Sequence, residues 1–460
     1  MTRTWPLIAL VAVALLGFGA APAMAESHTE SFTYPVEMKP FEVKQEVSFA
    51  VPHPKADGFI TRMSADIVDA DGKQVPINRI MLHHIVFQKL GVKSSTCDTF
   101  TLFDGKTTIP AAADSFYFAG EERNEMVLPD GYGYPTAKDD TWSMVWMLMN
   151  HRAQADPVYI RWTVTYDDSA QLTPVRPVWM DVANCLADPV YTVPGSRKPA
   201  VDERRYDRTV PESGRIVAVG GHVHGGAADL RLSQPDCGDR EIHTSRPAWG
   251  MPDHPFYNVR PILHEPGPVS MSRYVSAQGF PVSKGPRLRL TSRYDNSLPH
   301  ARVMGIVIAY MAPDGAVPEG CAPPPTDARV EQPAELAGTP FRTKTPKFTV
   351  PLTGIDSKGR AVSISRPPGR TRDLKAGTTI KVGDFSFSVP NARVKRGAKL
   401  NWKFGPNTLH NVTLANGPRG FSSLNLNDGR VYGYRFKVPG TYRVFCGLHP
   451  VSMTQTVTVR

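Results

Sequence analysis

The sequence predicts an all-β protein, and three observations support that class. Short runs of alternating apolar and polar residues recur along the chain, and they are rich in β-branched and aromatic side chains; examples are residues 158–166, 215–219, 287–292 and 302–310. Gly, Pro, Asp and Asn bound these runs, and 43 prolines with 37 glycines supply many turns. Helical periodicity is scarce. Together these features favour sandwiches or barrels.

The first 25 residues have the pattern of a cleaved signal peptide. Arg3 precedes an apolar run over residues 6–21, and Ala23-Met-Ala25 forms a cleavage site of the Ala-x-Ala kind. No later stretch approaches the roughly eighteen apolar residues that a membrane-spanning helix needs. We therefore expect an exported protein, periplasmic or secreted, without a membrane span.

At 460 residues the chain has room for about three domains. The clearer boundary is a Pro-rich, polar stretch from residue 321 to about residue 376, which we expect to contain an extended linker with a strand near residues 348–352. A weaker boundary falls near residue 171, and we see no internal repeat of fixed period.

Four side chains near the C-terminus form a ligand set for a metal. Cys446, His449 and Met453 can lie on one tight loop at a sheet's end, while His410 arrives from an earlier strand. A thiolate, two imidazoles and a weak axial thioether are the ligands of a blue-copper electron-transfer site. As the alternative, Cys446 is an inert buried thiol and Met453 a core residue. Four ligand groups at this spacing, within alternating strands, favour copper.

This stretch, residues 377–460, resembles the cupredoxins, a family that includes plastocyanin, amicyanin and azurin. The resemblance implies a C-terminal Greek-key β-sandwich that transfers electrons. It also implies a type 1 copper held by His410, Cys446, His449 and Met453.

The basic charge of the chain is concentrated in the same segment. Residues 377–460 hold twelve Lys or Arg and two Asp, a formal charge of +10, so the rest of the mature chain is near −1 once Arg3 is removed. Such a surface suits electrostatic steering toward a redox partner with an acidic docking surface. A merely solubilising charge is the alternative. No nucleic-acid motif accompanies the charge, and we expect no nucleic-acid partner.

With Cys446 assigned to copper, four cysteines are left for disulfides, which persist in an oxidising compartment. Two bridges among Cys97, Cys185, Cys237 and Cys321 have three possible connectivities, and the sequence does not choose among them.

Eleven of the thirteen histidines lie in residues 26–320. His222 and His224 follow an apolar run, and residues two apart on a strand face the same side, so both imidazoles can reach one metal. His83 and His84 are adjacent, so they can share a metal only at a strand end or a bulge.

His151 ends the run 146–151, and Met304 opens the run 304–310. Taken singly, each of these histidines is more often structural than metal-binding, and Met304 is more often a core residue. Their combination is more informative.

The order His-His, single His, His-x-His and Met resembles the two-copper monooxygenases, which include peptidylglycine α-hydroxylating monooxygenase and dopamine β-monooxygenase. The resemblance implies two successive β-sandwich domains, residues 26–170 and 171–320, with one copper in each. One copper would take His83, His84 and His151, and the other would take His222, His224 and Met304. The phrases Leu148-Met-Asn-His151-Arg, Gly220-Gly-His-Val-His-Gly-Gly226 and His300-Ala-Arg-Val-Met304-Gly also resemble the stress-upregulated nodulin family and its bacterial relatives.

The chemistry that this resemblance implies is coherent. A three-histidine site suits electron storage, a His₂Met site favours Cu(I), and open coordination positions permit reaction with oxygen. We infer that the tethered basic cupredoxin relays electrons to them. The four remaining cysteines are fewer than the animal enzymes carry, and no counterpart of the residues that anchor a peptide carboxylate is evident. The substrate, small molecule or peptide, is therefore open.

Other enzyme classes lack their motifs here. Multicopper oxidases need several His-x-His pairs, and they and the copper nitrite reductases place a histidine directly beside the type 1 cysteine; this chain has one such pair, and Phe445 and Gly447 flank Cys446. There is no Gly-x-Ser-x-Gly elbow, phosphate loop or His-Glu-x-x-His zinc helix. Two alternatives are left: an oxygenase fed by the cupredoxin, or a non-catalytic copper protein whose front half is a binding scaffold.

Overall fold

The computed structural model describes residues 27–102, 106–168, 171–196, 198, 200–332 and 340–460. The all-β prediction is confirmed, because strands dominate and the helical segments in these residues are two short 3₁₀ turns, Pro235–Cys237 and Pro255–Asn258. No helix within the described ranges is long and apolar enough to cross a membrane. The predicted signal peptide, residues 1–25, lies outside the described residues.

The first sandwich consists of two sheets, ordered β1-β11-β3-β9-β12 (with β8 on β3) and β2-β10-β4-β7, and a β5-β6 hairpin. Its strands are β1 (Ser27–Met38), β2 (Val43–Val51), β3 (Gly58–Val68), β4 (Ile80–Leu90), β5 (Thr99–Thr101), β6 (Thr108–Pro110), β7 (Ala113–Gly120), β8 (Met126–Val127), β9 (Tyr132–Thr136), β10 (Trp142–Asn150), β11 (Asp156–Asp167) and β12 (Thr173–Pro174). Every second residue of β11 from Val158 to Val164 is buried, as a strand with one face on a core requires.

The second sandwich has sheets ordered β13-β24-β16-β21-β25 and β15-β22-β17-β18, with a β14-β23 pair at one end. The strands are β13 (Arg176–Asp181), β14 (Tyr191–Val193), β15 (Val201–Thr209), β16 (Gly214–Val223), β17 (Ala227–Gln234), β18 (Arg240–Ser245), β19 (Pro247–Gly250), β20 (Ser270–Met271), β21 (Arg273–Val282), β22 (Arg287–Asp295), β23 (His300–Val303), β24 (Gly305–Pro313) and β25 (Arg329–Glu331).

The stretch 321–376, which the composition predicts as a linker, contains short strands, and two of them pair with strands of the second sandwich. β25 pairs with β21, β26 (Phe341–Arg342) pairs with β19, and β27 (Leu352–Ile355) forms a hairpin with β28 (Ala361–Ile364). The strand predicted over residues 348–352 is largely wrong, because residues 348–351 are not in a strand and β27 begins only at Leu352. An open sheet edge offers unpaired backbone groups to any extended segment, which composition alone does not reveal.

The C-terminal domain packs a sheet ordered β29-β32-β37-β36-β34 on a sheet ordered β31-β30-β33-β35. The strands are β29 (Thr371–Asp373), β30 (Thr379–Gly383), β31 (Ser386–Phe387), β32 (Asn391–Val394), β33 (Lys399–Phe404), β34 (Thr413–Asn416), β35 (Val431–Arg435), β36 (Gly440–Phe445) and β37 (Thr454–Val459). Its core is separate and surrounds Trp402 and Tyr442.

The two front sandwiches pack face to face. Val217, Ile306 and Tyr310 of the second sandwich belong to the same apolar core as the interior of the first, and the Tyr310 hydroxyl donates to Phe116 O at 2.9 Å. The Cys97–Cys185 disulfide also links the two sandwiches, and Cys237–Cys321 closes the other pair. These contacts bring β4 of the first sandwich close to the end of β16 of the second.

Candidate metal centres

The C-terminal ligand loop lies between β36 and β37. Cys446 directly follows β36, Met453 directly precedes β37, and the loop between them is closed by three backbone hydrogen bonds: Cys446 N to Met453 O at 3.0 Å, His449 N to Cys446 O at 2.9 Å, and Met453 N to His449 O at 3.0 Å. His410 lies just before β34, which pairs with β36. The local sequence therefore delivers all four side chains to one end of the domain.

Three of these side chains converge on one point. His410 Nδ1 and His449 Nδ1 are 3.1 Å apart, and they lie 3.8 and 3.6 Å from Cys446 Sγ. Metal bonds of about 2.0 Å to nitrogen and about 2.3 Å to sulfur in a trigonal plane place such atoms about 3.5–3.7 Å apart. The donor set therefore fits a trigonal copper, and Met453 is buried at the end of the same loop.

Burial sets the protonation of these ligands. It raises the pKa of the Cys446 thiol, and it lowers the pKa of His410 and, with repulsion from His410, that of His449 to about 4. Both imidazoles are thus neutral at pH 7 and offer lone pairs. Asn411 N–H donates to Cys446 Sγ at 3.3 Å, which orients the sulfur. A bound cation would favour the thiolate in this pocket.

In the front half, a β-bulge turns His83 and His84 to the same side. Met147 of β10 pairs with His84 and Leu148 pairs with Leu82, so His83 is the extra residue of β4. Their Nδ1 atoms lie 3.0 Å apart. Burial lowers the pKa of His84 to about 3 and that of His83 well below its usual range, so two neutral imidazoles face each other at the distance of shared ligands.

Three other histidines are oriented by an oxygen acceptor at Nδ1. The Nδ1–H of His222 donates to Glu122 Oε1 (3.0 Å), that of His224 to Arg302 O (2.9 Å), and that of His151 to Pro261 O (3.0 Å). Each Nε2 is buried, and no hydrogen-bond partner for it occurs among the described residues. Metal-binding histidines show this arrangement, in which one nitrogen is oriented by an oxygen and the other is free to coordinate.

The sequence analysis missed three residues of the site: Met81, Glu121 and His264. His264 Nε2 lies 2.7 Å from Glu121 Oε1 and 3.1 Å from Met81 Sδ, and its ring centroid is 4.6 Å from that of His83. His83, Glu121 and His264 have ligand atoms within 4.8 Å of one another. His264 lies in a Pro-rich loop with no His-x-His spacing, so only its residue type marked it.

The histidines meet in one cluster rather than in the two triples that the ligand order implies. The His83 ring lies 4.7 Å from His224, a member of the other triple, and His222 and His224 are 5.1 Å apart. The histidines form one cluster because the two sandwiches pack against each other and bring His83 and His224 together. His151 lies near His264, which adds to burial in lowering its pKa to about 4. We call His83, His84, His222, His224 and His264 the histidine cluster.

Met304 and His84 line two cavities. One, of about 70 Å³, separates the histidine cluster from the C-terminal domain, where Phe445 and Gly447 on either side of Cys446 form part of its wall. The other, of about 340 Å³, is apolar and also touches His222. The cluster thus has open space on two sides.

Arg302 connects the cluster to the C-terminal site. Its carbonyl accepts from His224, its guanidinium pairs with Asp188 and donates to Ser423 O at 3.1 Å, and its Cδ lies 3.7 Å from where a Cβ on Gly447 would stand. Its φ of 57° is unusual for a residue with a side chain, and such strain persists only where the surroundings impose it.

Comparisons with known proteins identify the C-terminal domain. A family described as copper binding proteins, plastocyanin/azurin family, matches residues 374–460, which are therefore a copper-binding electron-transfer domain. No curated protein matches the chain.

Similar solved structures include an oxidized amicyanin mutant, at 22% identity over 18% of this chain and 81% of that chain with a TM-score of 0.17. A reduced amicyanin mutant has 24% identity over the same shares, also with a TM-score of 0.17. A purple cupredoxin from Nitrosopumilus maritimus has 23% identity over 18% of this chain and 99% of that chain, with a TM-score of 0.17.

Proposed function

We propose that this chain is an exported copper redox protein in which the C-terminal domain passes electrons to a second copper centre in the histidine cluster, where a substrate is oxygenated. The observation that carries the proposal is that the buried Nε2 atoms of His151, His222 and His224, beside an electron-transfer domain, have no hydrogen-bond partner in the described part of the chain. A non-catalytic copper carrier on a binding scaffold is the competing function.

The buried donors favour metal binding on energetic grounds. Leaving a buried polar atom without a partner costs about 1–3 kcal/mol, and three such atoms in one region are expensive unless a ligand satisfies them. His83 and His84 add two nitrogens 3.0 Å apart. Imidazoles and a soft thioether such as that of Met304 are ligands that suit copper.

Residues of this chain orient the candidate histidine ligands and provide a route for electrons between the two sites. Glu122 and the Arg302 carbonyl accept from Nδ1 of His222 and His224, which orients both imidazole rings. The same Arg302 packs near Gly447, next to Cys446. Electrons can therefore leave the C-terminal site through Gly447 and Arg302 to His224, along packed atoms and one hydrogen bond.

Copper bound in the cluster would supply one-electron redox chemistry and an open position for dioxygen. In the reaction that we propose, a substrate C–H bond is replaced by a C–O bond with one atom of dioxygen, and the other atom leaves as water. Two electrons come from an external donor protein through the C-terminal domain, and two protons come from solvent.

The donor is expected to be acidic. Lys381, Lys399, Lys403 and Arg435 are exposed on one face of the sheet β31-β30-β33-β35, and Lys381 pairs with Lys403 and Lys399 with Arg435 across neighbouring strands. Like charges opposite each other destabilise a sheet, and no carboxylate in the described part of the chain forms an ion pair with these four. Attraction of an acidic partner protein would explain why these four basic side chains lie together on one face.

The test is an electron paramagnetic resonance spectrum of copper-loaded, oxidised protein, with the copper counted per chain. We expect a type 1 signal together with type 2 copper. His222→Ala should remove type 2 copper and leave the type 1 signal intact. His243→Ala is the matched control, since His243 is equally buried but donates to Ser272 O outside the cluster.

A second readout tests the route. Reduced protein mixed with dioxygen should regain its type 1 absorption at least tenfold more slowly in His222→Ala than in His243→Ala, because the electrons lose their acceptor. A single copper per chain with only a type 1 signal would instead establish an electron carrier attached to a metal-free scaffold.

A further inference from the structure

The larger cavity beside the histidine cluster has the properties of a site for an apolar molecule. It measures about 340 Å³ and lies between the two front sandwiches, with His84, His222 and Met304 in its wall. Small-molecule sites span roughly 300–1,000 Å³, so this one is at the small end. That size admits a compact molecule and excludes a folded peptide segment.

The wall of the cavity is mostly apolar. None of the described residues that line it is Asp, Glu, Lys or Arg. Apart from the two histidines, its polar side chains are Gln88 and Ser115, which hydrogen-bond to each other at 3.2 Å, and the Trp179 indole N–H donates to Asp181 at 3.3 Å. A charged ligand would lose its hydration here without a compensating partner, which is costly.

The rim of the cavity is apolar and braced. Phe49 is 69% exposed and Ile109 is 41% exposed, although both border the cavity. The lining residues Phe100 and Leu186 lie on two different segments of the chain. The Cys97–Cys185 disulfide joins these segments, and Thr101 N also donates to Cys185 O between them at 3.1 Å. Exposed apolar side chains at a cavity mouth are typical of an entrance for apolar ligands.

One polar group of the wall is unsatisfied. His222 is buried, its Nδ1–H is engaged by Glu122, and its Nε2 lacks a partner in the described structure. An apolar cavity whose wall includes this histidine and Met304 combines a binding volume with residues that can hold a metal.

We propose that this cavity is the substrate site of the histidine cluster and that it takes an uncharged, apolar small molecule. The assignment as a substrate site rests on the oxygenase function proposed above, whereas the binding of an apolar molecule does not. A wall that has no Asp, Glu, Lys or Arg among its described residues specifies the ligand class, and the shared residues His84, His222 and Met304 place that ligand beside the metal donors.

The experiment uses two fluorescent probes with the same aromatic skeleton. N-phenyl-1-naphthylamine is uncharged, and 1-anilinonaphthalene-8-sulfonate adds one negative charge. Titrated into the full-length protein, the uncharged probe should bind at least tenfold more tightly than the sulfonate. Equal binding of both probes, or no binding of the uncharged one, would overturn the proposal.

Variants locate the probe. Ala112→Phe and Ala113→Phe each add a ring at the cavity rim and should weaken binding of the uncharged probe at least tenfold. Ala361→Phe adds the same ring in β28, away from the cavity, and should leave binding of the uncharged probe unchanged. Retained type 1 absorption and circular dichroism show that each variant is folded. Unchanged binding in both rim variants would contradict the location.

The copper signals separate this inference from the proposed function. If the uncharged probe binds and alters the type 2 signal, the cavity is the substrate site of the cluster. If it binds in the cavity of a protein that holds only type 1 copper, the apolar site stands and its assignment to an oxygenase is overturned.

Discussion

The side chain of Cys446 shows how burial and a metal oppose each other. The thiol is fully buried, so its pKa is raised, although its sulfur accepts backbone hydrogen bonds that include the Asn411 N–H at 3.3 Å. Without a cation, the buried site favours the neutral thiol. Copper reverses that preference because the thiolate is its ligand, so the residue is inert until metal binds.

Cys446→Ser should therefore abolish the thiolate-to-copper absorption while the domain stays folded. The hydroxyl can still accept the Asn411 N–H, and burying it costs about 1–3 kcal/mol. Absorption and circular dichroism spectra of the copper-loaded variant check both points. Colour that persists in the variant would contradict the assignment of Cys446 as a ligand.

Asp114 introduces a pH dependence far from either metal site. Burial raises its pKa to about 7 from an ordinary value of 3.8, although the Ser95 N–H, Lys89 and Arg176 act in the opposite direction. The folded state then keeps a proton that the unfolded state has lost. Stability is therefore fully present below about pH 4 and declines as pH rises to about 7.

Asp114→Asn should remove this decline. We expect the free energy of unfolding of the domain that holds Asp114 to fall by up to about 4 kcal/mol more in wild type than in the variant between pH 4 and pH 7.5. Urea denaturation at several pH values measures it. Parallel pH profiles for the two proteins would show that the carboxyl is ionised in the folded state.

At the scale of elements, a bulge and a glycine shape the histidine cluster. The extra residue at His83 in β4 lets two adjacent imidazoles face the same side. On the neighbouring strand β7, Gly120 pairs with His84, and a Cβ there would lie 2.7 Å from the His222 ring and 2.8 Å from Glu122 Oε2. The absence of a side chain at Gly120 is what lets the second sandwich place His222 there.

Gly120→Ala should displace His222 and weaken copper binding in the cluster at least tenfold, without changing the type 1 absorption. Copper titration followed by electron paramagnetic resonance measures both sites at once. Gly315→Ala is the control, since a Cβ at Gly315 meets nothing within 4 Å. Equal loss of type 2 copper in both variants would refute the steric explanation.

At the scale of the whole molecule, the two front sandwiches and the C-terminal domain meet around the two candidate centres. Val451 of the C-terminal ligand loop shares an apolar cluster with Val43, Met81 and Met149 of the first sandwich and with Trp249 of the second. Asn425 Nδ2 also donates to Gln45 Oε1 at 3.3 Å. The C-terminal domain is therefore packed against the front half, while the basic side chains of the sheet β31-β30-β33-β35 are exposed.

Electron delivery by an acidic donor protein should accordingly depend on salt. We expect the rate of reduction of the type 1 site to fall steeply between about 20 and 200 mM NaCl, because screening shortens the reach of the basic face. The double variant Lys399→Glu/Lys403→Glu should be at least tenfold slower at low salt. Lys73→Glu/Lys138→Glu, with both charges on the first sandwich, is the control; an equal effect would exclude a specific docking face. Stopped-flow absorption measures the rates.

The sequence by itself determined whatever depends on neighbours along the chain. Alternating burial in strands such as β11 follows from local pattern, and Cys446, His449 and Met453 share a site because the chain turns back within one short loop. Packing between distant segments decided the rest. The bulge at His83, the arrival of His264 from a Pro-rich loop and the pairing of the four other cysteines depend on how separate sheets meet. Local spacing carries no record of those contacts, since their energy arises only when the sandwiches are assembled.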